Sequence, residues 1–178
     1  MTKLSLLPAL AVLFFATACV SFEPIPFNEA ELTDKANAGD AFSQAKLGQH
    51  YMFLDIEKGI YWLEKAAAQD EPQALYLLGS LNEQGAMFKR NMQVAYEYYL
   101  RAAKLNNGPA QEALARIYAH GSLGHTNYKE SYKWQLLADA HGWKLDAQDF
   151  GALEMLNAQE KQMAEAEALI LRAQFDAL

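Results

Sequence analysis

The chain has 178 residues, 52% of them hydrophobic, which suffices for one domain with a buried core. A net charge of −7, a pI near 5.1 and no stripe of Lys or Arg argue against a nucleic-acid partner, which requires a basic face to displace counterions. The single cysteine, Cys19, excludes an intramolecular disulfide.

Residues 1–18 have the layout of a secretory signal: Lys3, then an apolar run interrupted by Pro8, then small residues. Ala16-Thr17-Ala18-Cys19 resembles the lipobox of bacterial lipoproteins, departing from it at Ala16, where that family usually carries Leu. The resemblance implies a mature chain that starts at an acylated Cys19 and is held at a membrane of the cell envelope. Val20, where an inner-membrane retention signal would place Asp, favours the outer membrane. Losing residues 1–18 removes one of the 15 basic residues and none of the 22 acids, so the mature charge is 14 − 22 = −8. Residues 19–28, with Pro24 and Pro26, read as an extended tether.

The rest of the chain repeats itself. "GIYWLEKAAAQD" at 59–70 returns as "AYEYYLRAAKLN" at 95–106 and "SYKWQLLADAHG" at 131–142, offset by 36 each time. Trp62, Tyr98 and Trp134 hold one position, with Ala66, Ala102 and Ala138 four residues on, so ring and methyl share a helix face. A second helix precedes each of these, aligning Leu47, Leu78 and Leu114, and next to them Gly48, Gly79 and Ala115. Glycine in mid-helix costs about 1 kcal/mol against alanine, so its recurrence marks a close helix crossing. Such self-similarity signals a solenoid of helix pairs.

In chain order the pattern predicts a half-repeat helix at 29–38, then helices at 41–53, 56–69, 72–84, 91–105, 109–120 and 128–141. Two closing helices follow at 144–156 and 158–177, with Asn157 as a break or cap, so that 29–142 is the solenoid and 143–178 its C-terminal cap. Asp55, Asn91 and Asn127 stand as N-caps. Gly39, Asp70, Asn106 and Gly142 occupy the position where a left-handed residue ends a helix. The long last helix is charged on one side and suits the end of a stack.

The order small-x-x-x-Leu-Gly-x-x-Tyr, loop, Asp, aromatic-x-x-x-Ala-Ala resembles the Sel-one-like repeat, a relative of the tetratricopeptide repeat. The matches are strongest in "AKLGQHY" with "YWLEKAAAQD" and in "ALYLLGSLNEQG" with "YEYYLRAAKLN", and cover about residues 36–142. Departures are the first loop, which lacks the usual Gly pair, and Ala115 in place of Gly. The resemblance implies an all-α right-handed superhelix that binds proteins or peptides and carries no catalytic residues.

Sharper chemistry finds little footing. Ser43-Gln44-Ala45-Lys46 spells S-x-x-K, but Ser43 aligns with Ala74 and Ala110 as a packing position, and the companion S-D-N and K-T-G motifs are missing. His120, His125 and His141 form no metal-ligand spacing, so neither metal nor cofactor is expected.

The first helix of each pair lines the concave side in this repeat type. Counted from the mid-helix Gly or Ala, positions −3, +1 and +4 share a stripe: Ala45, Gln49 and Met52; Tyr76, Ser80 and Glu83; Glu112, Arg116 and Ala119. Gln49, Tyr76, Ser80, Glu83, Glu112 and Arg116 are the candidate partner-binding residues, with Arg116 expected to fork onto a partner's carboxylate. The expected function is a non-catalytic scaffold of the bacterial envelope facing the periplasm, lipid-anchored at Cys19, with an envelope protein or peptide as partner. The alternative is a cell-wall or polysaccharide enzyme, or its regulatory subunit.

Overall fold

The computed structural model describes residues 28–85, 89–143 and 151–178. The leader 1–18, Cys19, the tether up to residue 27 and the first part of the predicted 144–156 helix lie outside the described residues. Among the described residues there are nine helices and no strand: α1 Glu29–Asn37, α2 Ala41–Tyr51, α3 Ile56–Ala67, α4 Pro72–Gln84, α5 Met92–Lys104, α6 Gly108–His120, α7 Tyr128–Ala140, the short α8 Ala152–Met155 and α9 Ala158–Phe175. None of them is long and apolar enough to cross a membrane.

The start and stop signals are local chemistry, and they act where the sequence places them. Asp55, Asn91 and Asn127 each accept a hydrogen bond from the backbone N–H three residues on, at 3.1, 3.2 and 3.1 Å. Asn157 and Glu160 form a reciprocal capping box at the start of α9. Gly39, Asp70, Asn106 and Gly142 all have positive φ, of 98°, 56°, 60° and 80°. Around Asp70 the chain closes with Asp70 N–H donating to the Ala67 carbonyl and Glu71 N–H to the Ala66 carbonyl, both at 3.1 Å. This paired closure satisfies carbonyls that the helix end leaves open. It also stops α3, α5 and α7 one or two residues before the predicted ends, because the reversal begins inside the last turn.

The helices pair as α2–α3, α4–α5 and α6–α7, and the pairs stack through α3–α4 and α5–α6 contacts. The pair crossings are close where the sequence has its glycines. A Cβ on Gly79 would stand 2.7 Å from Cε1 of Tyr99, and one on Gly48 would stand 2.8 Å from Cγ of Leu63 and 3.0 Å from the Gly59 carbonyl. Leu63, Tyr99 and Gln135 are one repeat position, and all three are buried. The aligned Ala66, Ala102 and Ala138 are fully buried as well.

Joints between repeats are made at the last carbonyls of the second helices. Gln44 Nε2 donates to the Ala36 carbonyl at 2.9 Å and Gln111 Nε2 to the Ala103 carbonyl at 3.0 Å. At the equivalent Ala67 carbonyl the donor is Arg101 Nη2, at 2.9 Å, which also bonds Asp70. The half-repeat helix α1 covers the first pair, where Leu32, Ala36, Leu47, Tyr51 and Trp62 form a separate small core. At the other end α9 lies against α7, with Phe175 stacked on Trp134 at a centroid distance of 6.4 Å and an interplanar angle of 16°. The molecule is a short α-solenoid with a helical cap at each end.

Candidate functional site

Between α4 and α6 runs an open groove of about 450 Å³. Tyr76, Ser80 and Glu83 enter it from α4, and Glu112 and Arg116 from α6, because residues three and four apart on a helix share a face. Five of the six candidate residues are thus brought together. Gln49 is not among them. It sits in a separate depression of about 290 Å³ with Phe42, Lys46 and Glu71. Two other members of the predicted stripe, Ala45 and Ala119, are core at 2% and 5% exposure. Their single methyls do not reach past the longer side chains packed around them.

The centre of the groove is a three-residue network. Arg116 forks onto Glu83, Nη1 to Oε1 at 2.5 Å and Nη2 to Oε2 at 2.9 Å. The Tyr99 hydroxyl donates to the same carboxylate at 2.8 Å. Arg116 therefore does not stand ready for a partner's carboxylate, as the sequence suggested; it is spent on Glu83 from the neighbouring repeat. Tyr99 reaches the groove from α5, passing over Gly79, whose missing side chain leaves room for the ring. The Arg116 guanidinium, and then the Tyr99 hydroxyl, hold the Glu83 carboxyl below the usual carboxylate range, while burial opposes them. Burial, reinforced by Glu83, pushes the Tyr99 phenol up. Glu83 stays ionised and Tyr99 protonated around neutral pH, the opposite of the tuning that general acid–base chemistry requires. The network is suited to holding a fixed polar surface.

Around it, Ser80 accepts from Gln84 Nε2 at 2.7 Å, and Arg90 Nε donates to the Glu83 carbonyl at 3.0 Å from the following loop. The Trp143 indole N–H donates to Glu112 at 2.7 Å. Trp143 packs over Gly108, where a Cβ would stand 2.6 Å from its own Cβ. Tyr76 and Tyr99 lie 5.9 Å apart, centroid to centroid, so one aromatic wall extends from surface to core. The stripe reading missed Tyr99, Arg90 and Trp143, because they come from other elements. For Tyr99 a signal existed: a mid-helix glycine in register with a partner-helix tyrosine.

Elsewhere, Ser43 is buried and its N–H bonds Asp40 at 2.7 Å, while Lys46 lies over the Phe42 ring at 5.3 Å, so the S-x-x-K residues are cap and surface. His141 bonds the Leu137 carbonyl through Nδ1 at 2.9 Å and Asp176 through Nε2 at 3.3 Å. Among the described residues no three His, Cys, Asp or Glu side chains gather in a way that could hold a metal.

Comparison with known proteins gives the repeats a counterpart. The family model described as Sel1 repeat matches residues 41–71, 72–107 and 108–138. A protective antigen of uropathogenic Escherichia coli strains displaying an SLR fold superposes with a TM-score of 0.67 at 30% identity, over 83% of this chain and 32% of that one. A Sel1 repeat protein from Oxalobacter formigenes superposes with a TM-score of 0.61 at 28% identity, over 68% of this chain and 95% of that one. Among curated proteins, DAP3-binding cell death enhancer 1 of Rattus norvegicus is 31% identical over 90 residues, and that of Mus musculus likewise, covering 49% of this chain. The match spans only 18% of those relatives' length.

Proposed function

The chain belongs to the Sel1-repeat family, and from that premise we propose that it is a non-catalytic scaffold of the bacterial cell envelope that takes a protein or peptide in the α4–α6 groove. Sel1-repeat proteins generally mediate protein–protein interaction, and a curated relative carries the binding of another protein in its name. The observation that carries the reading is the convergence of Tyr76, Ser80, Glu83, Glu112 and Arg116 on one open groove. Its polar centre is already organised by the Glu83–Arg116 fork, so a ligand would not have to order those side chains on binding. An extended chain fits an open, shallow groove better than a small molecule does. Tyr76 offers ring area, and Ser80, Glu112 and the edge of Arg116 offer hydrogen bonds. Gln49, in its separate depression one repeat earlier, is not part of this groove.

The anchor is the second half of the proposal. Acylation at Cys19 would fix the solenoid to the membrane, the outer membrane being favoured by Val20, with residues 19–28 as tether. A photo-crosslinking phenylalanine analogue in place of Tyr76, in cells expressing the full chain, should give a discrete protein adduct. The same analogue at Glu97, exposed on α5, should not. Equal adducts from both positions, or none from Tyr76, would remove the groove from consideration. Cys19→Ser should leave the chain unprocessed or soluble. A wild-type protein that stays soluble with no mass added at Cys19 defeats the lipoprotein reading.

A further inference from the structure

The α4–α6 groove has an electrical direction. α4 and α6 open equivalent repeats, at Pro72 and Gly108, so Glu112 stands level with Tyr76 and Arg116 level with Ser80. Glu83 lies two helical turns beyond Tyr76, a rise of about 10 Å. Past the end of α4, Arg90 packs against Gly85 and enters the same groove. Four charges therefore follow one another along it, alternating in sign: Arg90, Glu83, Arg116 and Glu112. Their order shows in their influence on each other, since Glu83 feels both arginines and Arg116 feels both glutamates. The inner two neutralise each other in the fork. The outer two meet neutral groups instead. Arg90 Nε donates to the Glu83 carbonyl at 3.0 Å, and its Nη2 lies 3.5 Å from the Met92 sulfur. Glu112 accepts from the Trp143 indole at 2.7 Å through Oε2.

We propose, resting on the groove reading above, that the partner segment is an extended chain with a cationic side chain at the Glu112 end and a carboxylate at the Arg90 end, about four residues apart. The Trp143 N–H fixes one oxygen of Glu112 and leaves Oε1 to face the ligand. Tyr76, on the opposite wall at the same level, gives the stem of a Lys or Arg a ring to lie on. At the other end the Arg90 guanidinium takes the carboxylate. The spacing follows from the fold. Arg90 lies past Glu83, so the span exceeds the two-turn rise. An extended chain advances about 3.3 Å per residue and returns to the same face at even steps, which selects four residues over three. A wholly acidic segment would set like charges together at Glu112, and a wholly basic one at Arg90. An apolar segment would cover both charges without a partner.

The test uses the full chain, purified in mild detergent from membranes of the expressing cell and immobilised, to select binders from a phage-displayed library of random dodecapeptides. Enriched peptides should carry Lys or Arg and Asp or Glu four residues apart. In fluorescence anisotropy, a fluorescein-labelled member should bind Glu112→Arg at least about tenfold more weakly than wild type. Exchanging the peptide's cation for Glu should restore binding to that variant, which also shows that the variant is folded. Arg90→Glu should behave as the mirror image, rescued by a Lys in place of the peptide's acid. Peptides held equally well by a Tyr76→Ala chain, or a library that yields none, take down the groove reading and this inference with it. Peptides that Tyr76→Ala no longer holds, but that carry no paired charges, overturn the charge order alone. So does unchanged binding to Glu112→Arg, or a failure of the exchanged peptide to restore it.

Discussion

The first and second repeats solve the same crossing with different consequences. In α2–α3 the notch at Gly48 takes Leu63; in α4–α5 the notch at Gly79 takes Tyr99. Leu63 ends in methyls, and the residue one turn beyond the notch is Met52, so the crossing is packing and nothing more. Tyr99 ends in a hydroxyl, the residue one turn beyond is Glu83, and the two meet at 2.8 Å on the wall of a groove. The third repeat fills the same positions with Ala115, Gln135 and Ala119, all buried. A helical-repeat crossing thus fixes where a side chain emerges, and the chemistry of that side chain decides whether the place is core or site.

The comparison breaks most sharply at the notches. Gly79→Val and Gly48→Val should each lose about 1–3 kcal/mol in urea melts, whereas Val at the exposed Gln93 should lose about 0.5 kcal/mol or less. The two notches should then differ in how they are relieved. A Tyr99→Gln background, imitating the third repeat, should soften the effect of Gly79→Ala by at least about 0.5 kcal/mol. Leu63→Gln should soften Gly48→Ala less, because the Gly59 carbonyl, 3.0 Å from the new methyl, cannot move aside. Equal relief at both would show that ring and backbone contacts are not the difference between them.

Next in size is the network that ties Glu83 and Tyr99 of the second repeat to Arg116 of the third. Arg116→Ala leaves a mostly buried carboxylate with one partner fewer, and should lower stability by about 1–2 kcal/mol, discounted from a fully buried pair because the guanidinium is a third exposed. Tyr99→Phe removes a single hydrogen bond to that carboxylate and should lose about 1 kcal/mol. The effect carries a pH signature. The folded-state pKa of Glu83 lies below its ordinary 4.5, so its stabilisation is complete above that pH and is lost as pH falls through the folded value. Thermal melts of wild type and Glu83→Gln should therefore converge on acidification, and a gap that stays constant would place the stabilisation elsewhere. Smallest, and alike in all repeats, should be the caps: Asp55→Ala, Asn91→Ala and Asn127→Ala at about 1 kcal/mol each. A spread wider than about 1 kcal/mol among them would mean that the repeats differ in more than their notches.

Much of this was legible in the sequence because helix starts, stops and pairings are short-range. Asn127 caps by bonding three residues ahead, and Asp70 turns the chain by its own φ. The stripe through Tyr76, Ser80, Glu83, Glu112 and Arg116 was legible for the same reason: period alone puts them on common faces. What period does not carry is distance between helices. That Arg116 reaches Glu83, 33 residues away in sequence, depends on how far apart α4 and α6 stand. That Ala45 and Ala119 lie inside depends on the lengths of their neighbours. Tyr99 is not marked by period at all: the repeat aligns Tyr98 with Trp62 and Trp134, and only the spacing between α4 and α5 puts the Tyr99 ring over Gly79.

The three tryptophans divide the molecule optically. Trp62 and Trp134 are each 5% exposed and belong to its two ends, one under α1 and one beneath Phe175. Trp143 is 44% exposed and holds Glu112 at the rim of the groove. A water-soluble quencher such as iodide should reach Trp143 and leave the other two emitting, so the quenchable fraction of the fluorescence reports on the groove alone. A ligand settling beside Glu112 would shield that indole and change the light, and a Trp143→Phe chain would be blind to the same event.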